Sequence, residues 1–501
     1  MKSTQIFTLV LSSLITAVSL AAAVTAQQAQ TPPPAVQSEI ECGCEDDPTL
    51  NVLAIVNGVK IRQEDLSPDT RSRIRLLQDT VIDARSHELD KLIASKLLEA
   101  AATSRGLTPR KLLQIEVTGK VAPPTDAEAQ EFYKRNQQRM VKPFGDAKAE
   151  ILATLRSQRE LQEAQKFANA LRAAADVKIL IAMIRAPANI AERSRVVATV
   201  NGKQITSGDI EDSLAPLIFQ VKVQTYAYRK AEVDLKINDL LLDQEAKKQG
   251  VAPLALVSRE ISGKLQVITE KQVLDFYKQN KSEFNQEYSK VQLQIVQYLL
   301  TQQQQRLANE YADQLRGRAV VHLFLKPPRQ PSFSISVANQ PSRGKDDATV
   351  IVVEFIDFEN PRCAVQFQIL EQLIKEFGTQ VRFVVRDFPE PTHKYSLKAA
   401  EAAEAAYQQG KYWEYAQKLF SNQGGLQIDK LKKYALELGL DRTKFDEALD
   451  DGVFNDQIQM DIVEANKVGV IDTPTFFING RRTNGNSYPE LKLAIQNALE
   501  N

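Results

Sequence analysis

Two periodicities alternate along the first two thirds of the chain. Apolar residues recur at every second position on either side of Asn57-Gly58 and again of Asn201-Gly202. Asn-Gly accommodates the positive φ angles of a tight primed turn, so each stretch predicts a short β-hairpin. Beyond each hairpin the apolar spacing lengthens to that of an amphipathic helix. Thr125 with Glu128, and Thr269 with Gln272, have the spacing of a capping box, in which a side-chain acceptor and a reciprocal partner start a helix. Long amphipathic helices are expected from Ala147 to Ala175 and from Glu287 to Arg316.

The two sets are one unit written twice. Val56-Asn57-Gly58 recurs as Val200-Asn201-Gly202, Asp65-Leu66 as Asp209-Ile210, and Phe132-Tyr133-Lys134 as Phe276-Tyr277-Lys278, each pair 144 positions apart. The same offset aligns Ile151 with Ile295, Leu155 with Leu299 and Leu171 with Leu315. A gapless match of this length is a tandem duplication, far longer than the units of solenoid repeats. Copy 1 is placed at residues 52–183 and copy 2 at residues 197–326, each a strand pair followed mostly by helix. A short linker spans Arg185 to Arg193, and residues 327–345 are expected to be a proline-rich linker, extended and semi-rigid because proline fixes φ and removes donors.

The last third changes character. The β-branched apolar run Thr349 to Phe358 predicts a buried strand, and Pro361 suits the first turn of a helix that follows it. Helical patterning fills residues 396–450 with a break at Asn422-Gln-Gly-Gly425, and a further helix spans residues 453–468. A strand follows Thr473-Pro474, Asn479-Gly480 turns a hairpin, and Tyr488 to Leu499 is a closing helix. Trp413, with Tyr412 and Tyr415, lies at helical spacing and is expected in the core.

Composition adds bounds. At 501 residues the chain has room for about three domains. Its 63 basic and 63 acidic residues cancel, so no bulk charge selects nucleic acid, an anionic membrane or an acidic substrate. Met1-Lys-Ser before the apolar run Ile6 to Val24, with small residues at Val24-Thr25-Ala26, predicts a secretory signal over residues 1–26; an uncleaved anchor is the other reading. Residues 27–51, rich in Gln, Pro, Ala and acidic groups, are expected to be a disordered tail. The mature chain is then exported, to a periplasm or beyond, with no further membrane span. No oligomeric state is read from it.

There are three cysteines, Cys42, Cys44 and Cys363. A disulfide across Cys42-Gly43-Cys44 closes a very small ring and is easily reduced. The pair is either an accessory thiol couple that exchanges with Cys363 or two tail cysteines without a task. No zinc-ligand spacing, phosphate loop or hydrolase nucleophile is present, so neither a metal nor a cofactor is expected. His87 and His322 have no counterpart at the 144 offset, and His393 is expected on a surface loop.

The last third resembles the DsbA-like branch of the thioredoxin superfamily, in which a strand ending F-x-D-F precedes C-P-x-C. The resemblance runs through Phe355 to Cys363, Val381 to Phe388, Lys411 to Tyr415 and Gly469 to Gly480, over roughly residues 340 to 500. It implies an α/β thioredoxin-like domain at residues 346–501 with a helical insertion, and a peptide-binding cis-proline loop at Thr473 and Pro474. Where that family has its attacking cysteine this chain has Asn360, followed by Pro361 and Arg362, and Cys363 aligns with the resolving cysteine. A dithiol cycle therefore lacks its nucleophile. Cys363 is either a retained core thiol or a catalytic one.

The duplicated copies resemble the N-terminal domain of SurA-like periplasmic chaperones, on V-N-G-x-x-I with its following Asp and on T-x-x-x-x-x-x-F-Y-K-x-N. That implies two mainly α modules that bind unfolded or extended polypeptide clients; no room remains for a prolyl isomerase domain. The function so implied is an exported folding factor. A thiol-disulfide oxidoreductase or isomerase that uses Cys363 with Cys42 and Cys44 is the alternative.

Overall fold

A computed structural model of the chain describes residues 42–43, 51–140, 142–181, 184–284 and 286–500. The expected signal segment 1–26, most of the tail 27–51 and Cys44 lie outside the described residues. The strands are β1 Val52–Val56, β2 Val59–Arg62, β3 Val177–Ile179, β4 Val196–Val200, β5 Lys203–Thr206, β6 Val321–Leu323, β7 Ser342–Gly344, β8 Val350–Ile356, β9 Val381–Asp387, β10 Thr475–Ile478 and β11 Arg481–Arg482. The chain is mostly helical ahead of an α/β C-terminal domain.

Both Asn-Gly hairpins form. Asn57 and Gly58 have φ of 47° and 87°, and Asn201 and Gly202 have 49° and 79°, the left-handed values a primed turn needs. Both capping boxes form as well, opening the helices Asp126–Arg135 and Glu270–Gln279. The long amphipathic helices run Phe144–Ala173 and Tyr288–Arg316. Two still longer ones, Pro68–Ser104 and Ser207–Gln249, follow the hairpins.

Each hairpin takes a third strand, and takes it from the other copy. β6, at the end of copy 2, pairs antiparallel with β1, Val56 opposite Val321 and Ala54 opposite Leu323. β3, at the end of copy 1, pairs with β4, Val200 opposite Val177 and Ala198 opposite Ile179. The registers are the same once the 144 offset is applied. Packing follows the strands: Leu53, Ala54, Val56 and Ile61 are buried with Val233, Ile237, Leu241 and Leu315. Val197, Val200, Ile205 and Ile210 are buried with Leu89, Ile93, Leu97 and Ile184. The chain accordingly divides into two compact units that cross the repeat boundary. Of the described residues, one holds 51–79 and 221–328, and the other holds 42–43, 80–220 and 329–500.

In the C-terminal domain β7 to β11 form one sheet in the order β11-β10-β8-β9-β7. β8 and β9 are parallel, joined by the crossover helix Pro361–Phe377, and β10 runs antiparallel to β8. Five helices from Ser396 to Lys467 separate β9 from β10, and Tyr488–Glu500 closes the domain. The expected break at Asn422–Gly425 falls between the helices ending at Phe420 and starting at Ile428. Trp413 is buried, its ring stacked on Phe367 with the Arg343 guanidinium over it.

Residues 327–345, expected to be a linker, contribute to this domain. β7 pairs antiparallel with β9, the Phe333 N–H donates to the Gly480 carbonyl at 2.8 Å, and Phe333, Ile335 and Val337 pack on the core. The physical reason is period-2 alternation after Pro331, which puts three apolar side chains on one face of an extended segment.

Candidate functional site

The site lies where β8 ends and the helix Pro361–Phe377 begins. Asn360 is the N-cap: its Oδ1 accepts from the Arg362 N–H at 2.9 Å, and Pro361 occupies the first turn, where no donor is needed. Its amide group faces the other way. Nδ2 donates to the Thr473 carbonyl and to Glu390 Oε1, each at 3.0 Å, and the Thr473 hydroxyl donates to the same Glu390 oxygen at 2.8 Å. Asn360 is buried, so these bonds are shielded from water. Where the family pattern places an attacking sulfur, this chain has an amide that ties three segments together.

Cys363 lies in the helix's first turn, fully buried and unpaired. Its Sγ accepts from the Asp357 N–H at 3.5 Å. Burial pushes the thiol up to about 12, helped by the nearby Glu354 and Asp357 charges and opposed by hydrogen bonds from Asp357 and Thr473. Glu354 beneath it is itself wholly buried, its two carboxylate oxygens unpartnered among the described residues, and burial holds it well above the usual carboxylate range. A thiol of this kind is not a nucleophile at neutral pH. In the native protein Cys363 is expected to resist iodoacetamide up to pH 9 and to take one label after denaturation, with mass spectrometry as the measure. Native labelling at pH 8 would return it to the reactive class.

The Thr473-Pro474 peptide bond is cis. Thr473 and Pro474, predicted to bind peptide, are both buried, and their carbonyls already accept from Asn360 and Asn486. The residues just ahead of them are open to solvent, Ile471 at 83% and Asp472 about half exposed. Arg362 reaches Asp472 at 3.5 Å, an open surface pair of small energetic weight.

Three further groups gather here without having been singled out by sequence as a set. His393 Nδ1 lies 2.7 Å from Asp357 Oδ2, and the Glu390 N–H donates to that same oxygen at 2.8 Å. Burial opposes protonation of His393, yet the Asp357 hydrogen bond and the charges of Asp357, Glu390 and Glu359 outweigh it and hold the imidazole above its ordinary range. His393 is thus an anchored loop residue. Sequence marks two of the three singly, Asp357 in the strand-end Phe-Ile-Asp-Phe and His393 after Phe388-Pro-Glu-Pro-Thr392, and leaves Glu390 unmarked.

Cys42 is disulfide-bonded and buried, and its carbonyl accepts from Arg85 Nη2 at 2.7 Å. Arg85 is fully buried and paired with Glu211 at 2.6 Å. Cys42 is therefore anchored by its backbone; Cys44 lies outside the described residues.

The family model described as Thioredoxin matches residues 336–497. This part of the chain is a thioredoxin-like domain. Among curated proteins it is similar to a Na(+)/H(+) antiporter NhaA of Herminiimonas arsenicoxydans, 36% identical over 163 residues, 32% of this chain and 25% of that protein. It is also similar to NhaA 3 of Salinispora tropica, 42% identical over 144 residues, 28% of this chain and 22% of that one. The chain spans about a quarter of the length of these relatives. Among solved structures, oxidised BdbD from Bacillus subtilis is 28% identical, with 35% of this chain and all of that one covered at a TM-score of 0.32. A thioredoxin-like oxidoreductase from Silicibacter pomeroyi is 28% identical, covering 33% and 94% at a TM-score of 0.31. No described helix is long and apolar enough to cross a membrane.

Proposed function

We propose that this chain is an exported folding factor. Its two SurA-like copies hold unfolded or extended polypeptide, and its thioredoxin-like domain takes part in binding without running a dithiol cycle. The observation that carries the reading is Asn360: the position of the attacking sulfur is filled by an amide bonded to Thr473 and Glu390, while the remaining thiol is buried and pushed up to about 12. Thiol exchange needs an accessible thiolate, and neither condition is met by Cys363. Export rests on the apolar segment Ile6 to Val24.

In the proposed role, the exposed Ile471 and Asp472 form the rim met by a bound chain, with Thr473 and Pro474 supporting it from beneath. The test is aggregation of a chemically denatured client. The mature protein suppresses it, removal of residues 52–326 abolishes most of that suppression, and disulfide-oxidation activity is absent until N360C restores a Cys-Pro-Arg-Cys pair. Absence of suppression sinks the chaperone role, and oxidase activity in the unaltered chain sinks the non-redox role.

A further inference from the structure

We propose that Asp357, Glu390 and His393 form a divalent-cation site beside Asn360. One ligand atom from each of the three lies within 4.8 Å of the others. They come from two segments: Asp357 follows β8, and Glu390 and His393 stand on the loop after β9. The loop is held in place from within, since the Glu390 N–H and His393 Nδ1 both meet Asp357 Oδ2. A set of ligands ordered before the ion arrives loses less freedom on binding it.

Charge is the second observation. The Asp357 side chain is fully buried, and among the described residues its one ion-pair partner is His393. Glu390 and Glu359, which both act on that imidazole, form no salt bridge with Lys or Arg among the described residues. Of the basic residues nearest in sequence, Arg362 meets Asp472, and Lys394 sits 4.8 Å over the Tyr395 ring with Glu359 as the carboxylate in its electrostatic reach. The one imidazole faces three carboxylates, Asp357, Glu390 and Glu359, and a single imidazolium offsets only one of their charges; close like charges in partly buried surroundings are unfavourable. A divalent ion offsets the Asp357 and Glu390 carboxylates at once.

The donor set names the class of ion. Glu390 Oε1 is taken by Asn360 and Thr473, and its other oxygen accepts no hydrogen bond among the described residues, which leaves it for a metal. The His393 side chain is 26% exposed against 0% for Asp357, so the site opens to solvent on one side. One imidazole with two carboxylates suits zinc, manganese, iron(II) or cobalt(II). It does not suit copper(I), which prefers thiolates, or calcium, which prefers an all-oxygen cage. Three protein ligands leave coordination positions for water. A bound ion joins the strand end, the loop after β9 and, through Glu390, the Asn360 cap into one rigid rim.

The test is calorimetric titration of the full chain with Zn2+, repeated with Co2+ so that visible absorption reports the ligand field. One equivalent binds. E390Q, which keeps the side-chain shape, and H393A each weaken binding by about 10- to 100-fold or more. H87A and H322A leave it unchanged. Unaltered affinity in E390Q and H393A, loss of binding in H87A or H322A, or calcium bound as tightly as zinc would each overturn the proposal.

Discussion

Replacing Arg386 by methionine is expected to destabilise the thioredoxin-like domain by about 3–5 kcal/mol, the usual cost of stripping one partner from a buried ion pair. Arg386 is 4% exposed and Asp461 1%, with Arg386 Nη2 2.7 Å from Asp461 Oδ1 and Nη1 donating to the Ser336 carbonyl at 2.9 Å. Asp461 also accepts from Gln340 Nε2 at 2.8 Å and from the Asp387 N–H at 3.1 Å. Around this pair lie two more buried carboxyls. Burial, then the Asp461 charge, pushes Glu404 up to about 8. Burial, with Glu404, Asp461 and Asp357 adding and Arg386 opposing, holds Asp387 well above its usual range. Burial also raises Asp461, against the pull of Arg386.

The sign of the pH dependence follows. A carboxyl raised in the fold binds a proton there that the unfolded chain has released, so its stabilisation is complete below the unfolded value and lost as pH rises through the folded one. For Glu404 the window runs from the ordinary 4.5 up to about 8. Each such group contributes about 1.4 kcal/mol per pH unit inside its window. Denaturant melts between pH 5 and 8 are expected to show falling stability, a flatter profile for E404Q, and a loss in R386M that deepens toward pH 8. A profile that rises across this window, or an R386M loss independent of pH, would show that the three carboxyls are ionised in the fold.

Features fixed within a few residues were legible in the sequence. Asn57-Gly58 and Asn201-Gly202 dictate their turns, Thr125 and Thr269 their caps, and the β-branched run ahead of Asn360 its strand, because in each the physics acts over one turn of chain. Features that depend on distant partners were not. Asp357 and His393 stand 36 positions apart and converge only when β8 and β9 pair in parallel. Nothing local marks Glu390 as their neighbour, because 33 positions separate it from Asp357. Phe333, Ile335 and Val337 carried a strand-like alternation that the surrounding prolines masked. The helix Ser207–Gln249 passes through Pro216, a residue that in sequence argues for a helix boundary. The choice of third strand for each hairpin was hidden for a different reason: β3 and β6 occupy equivalent positions, and a duplicated sequence does not say which copy pairs with which.

That equivalence makes the largest effect a matter of chain division. Residues 52–183 expressed alone are expected to be unfolded at low concentration and to fold, as concentration rises, into a homodimer. In the intact chain the β1–β2 hairpin buries its apolar face against Val233, Ile237, Leu241, Leu315 and Leu325, all supplied by copy 2. Five such side chains at about 1.5–3 kcal/mol each amount to roughly 10 kcal/mol, comparable to the whole stability of a domain. A two-stranded hairpin without that support is marginal in water. The residues 144 positions earlier are Leu89, Ile93, Leu97, Leu171 and Ile181, which pack in the same way in the β3-β4-β5 core. Two molecules of copy 1 thus hold every contact needed to rebuild both sheets by lending each other their hairpins. Sedimentation equilibrium and thermal melts at increasing concentration provide the measure: the midpoint of residues 52–183 climbs with concentration, whereas that of residues 52–326 stays constant because its two halves are covalently joined. A folded, concentration-independent monomer of residues 52–183 would mean that β3 turns back onto its own hairpin, and that the exchange between copies contributes nothing the single copy lacks.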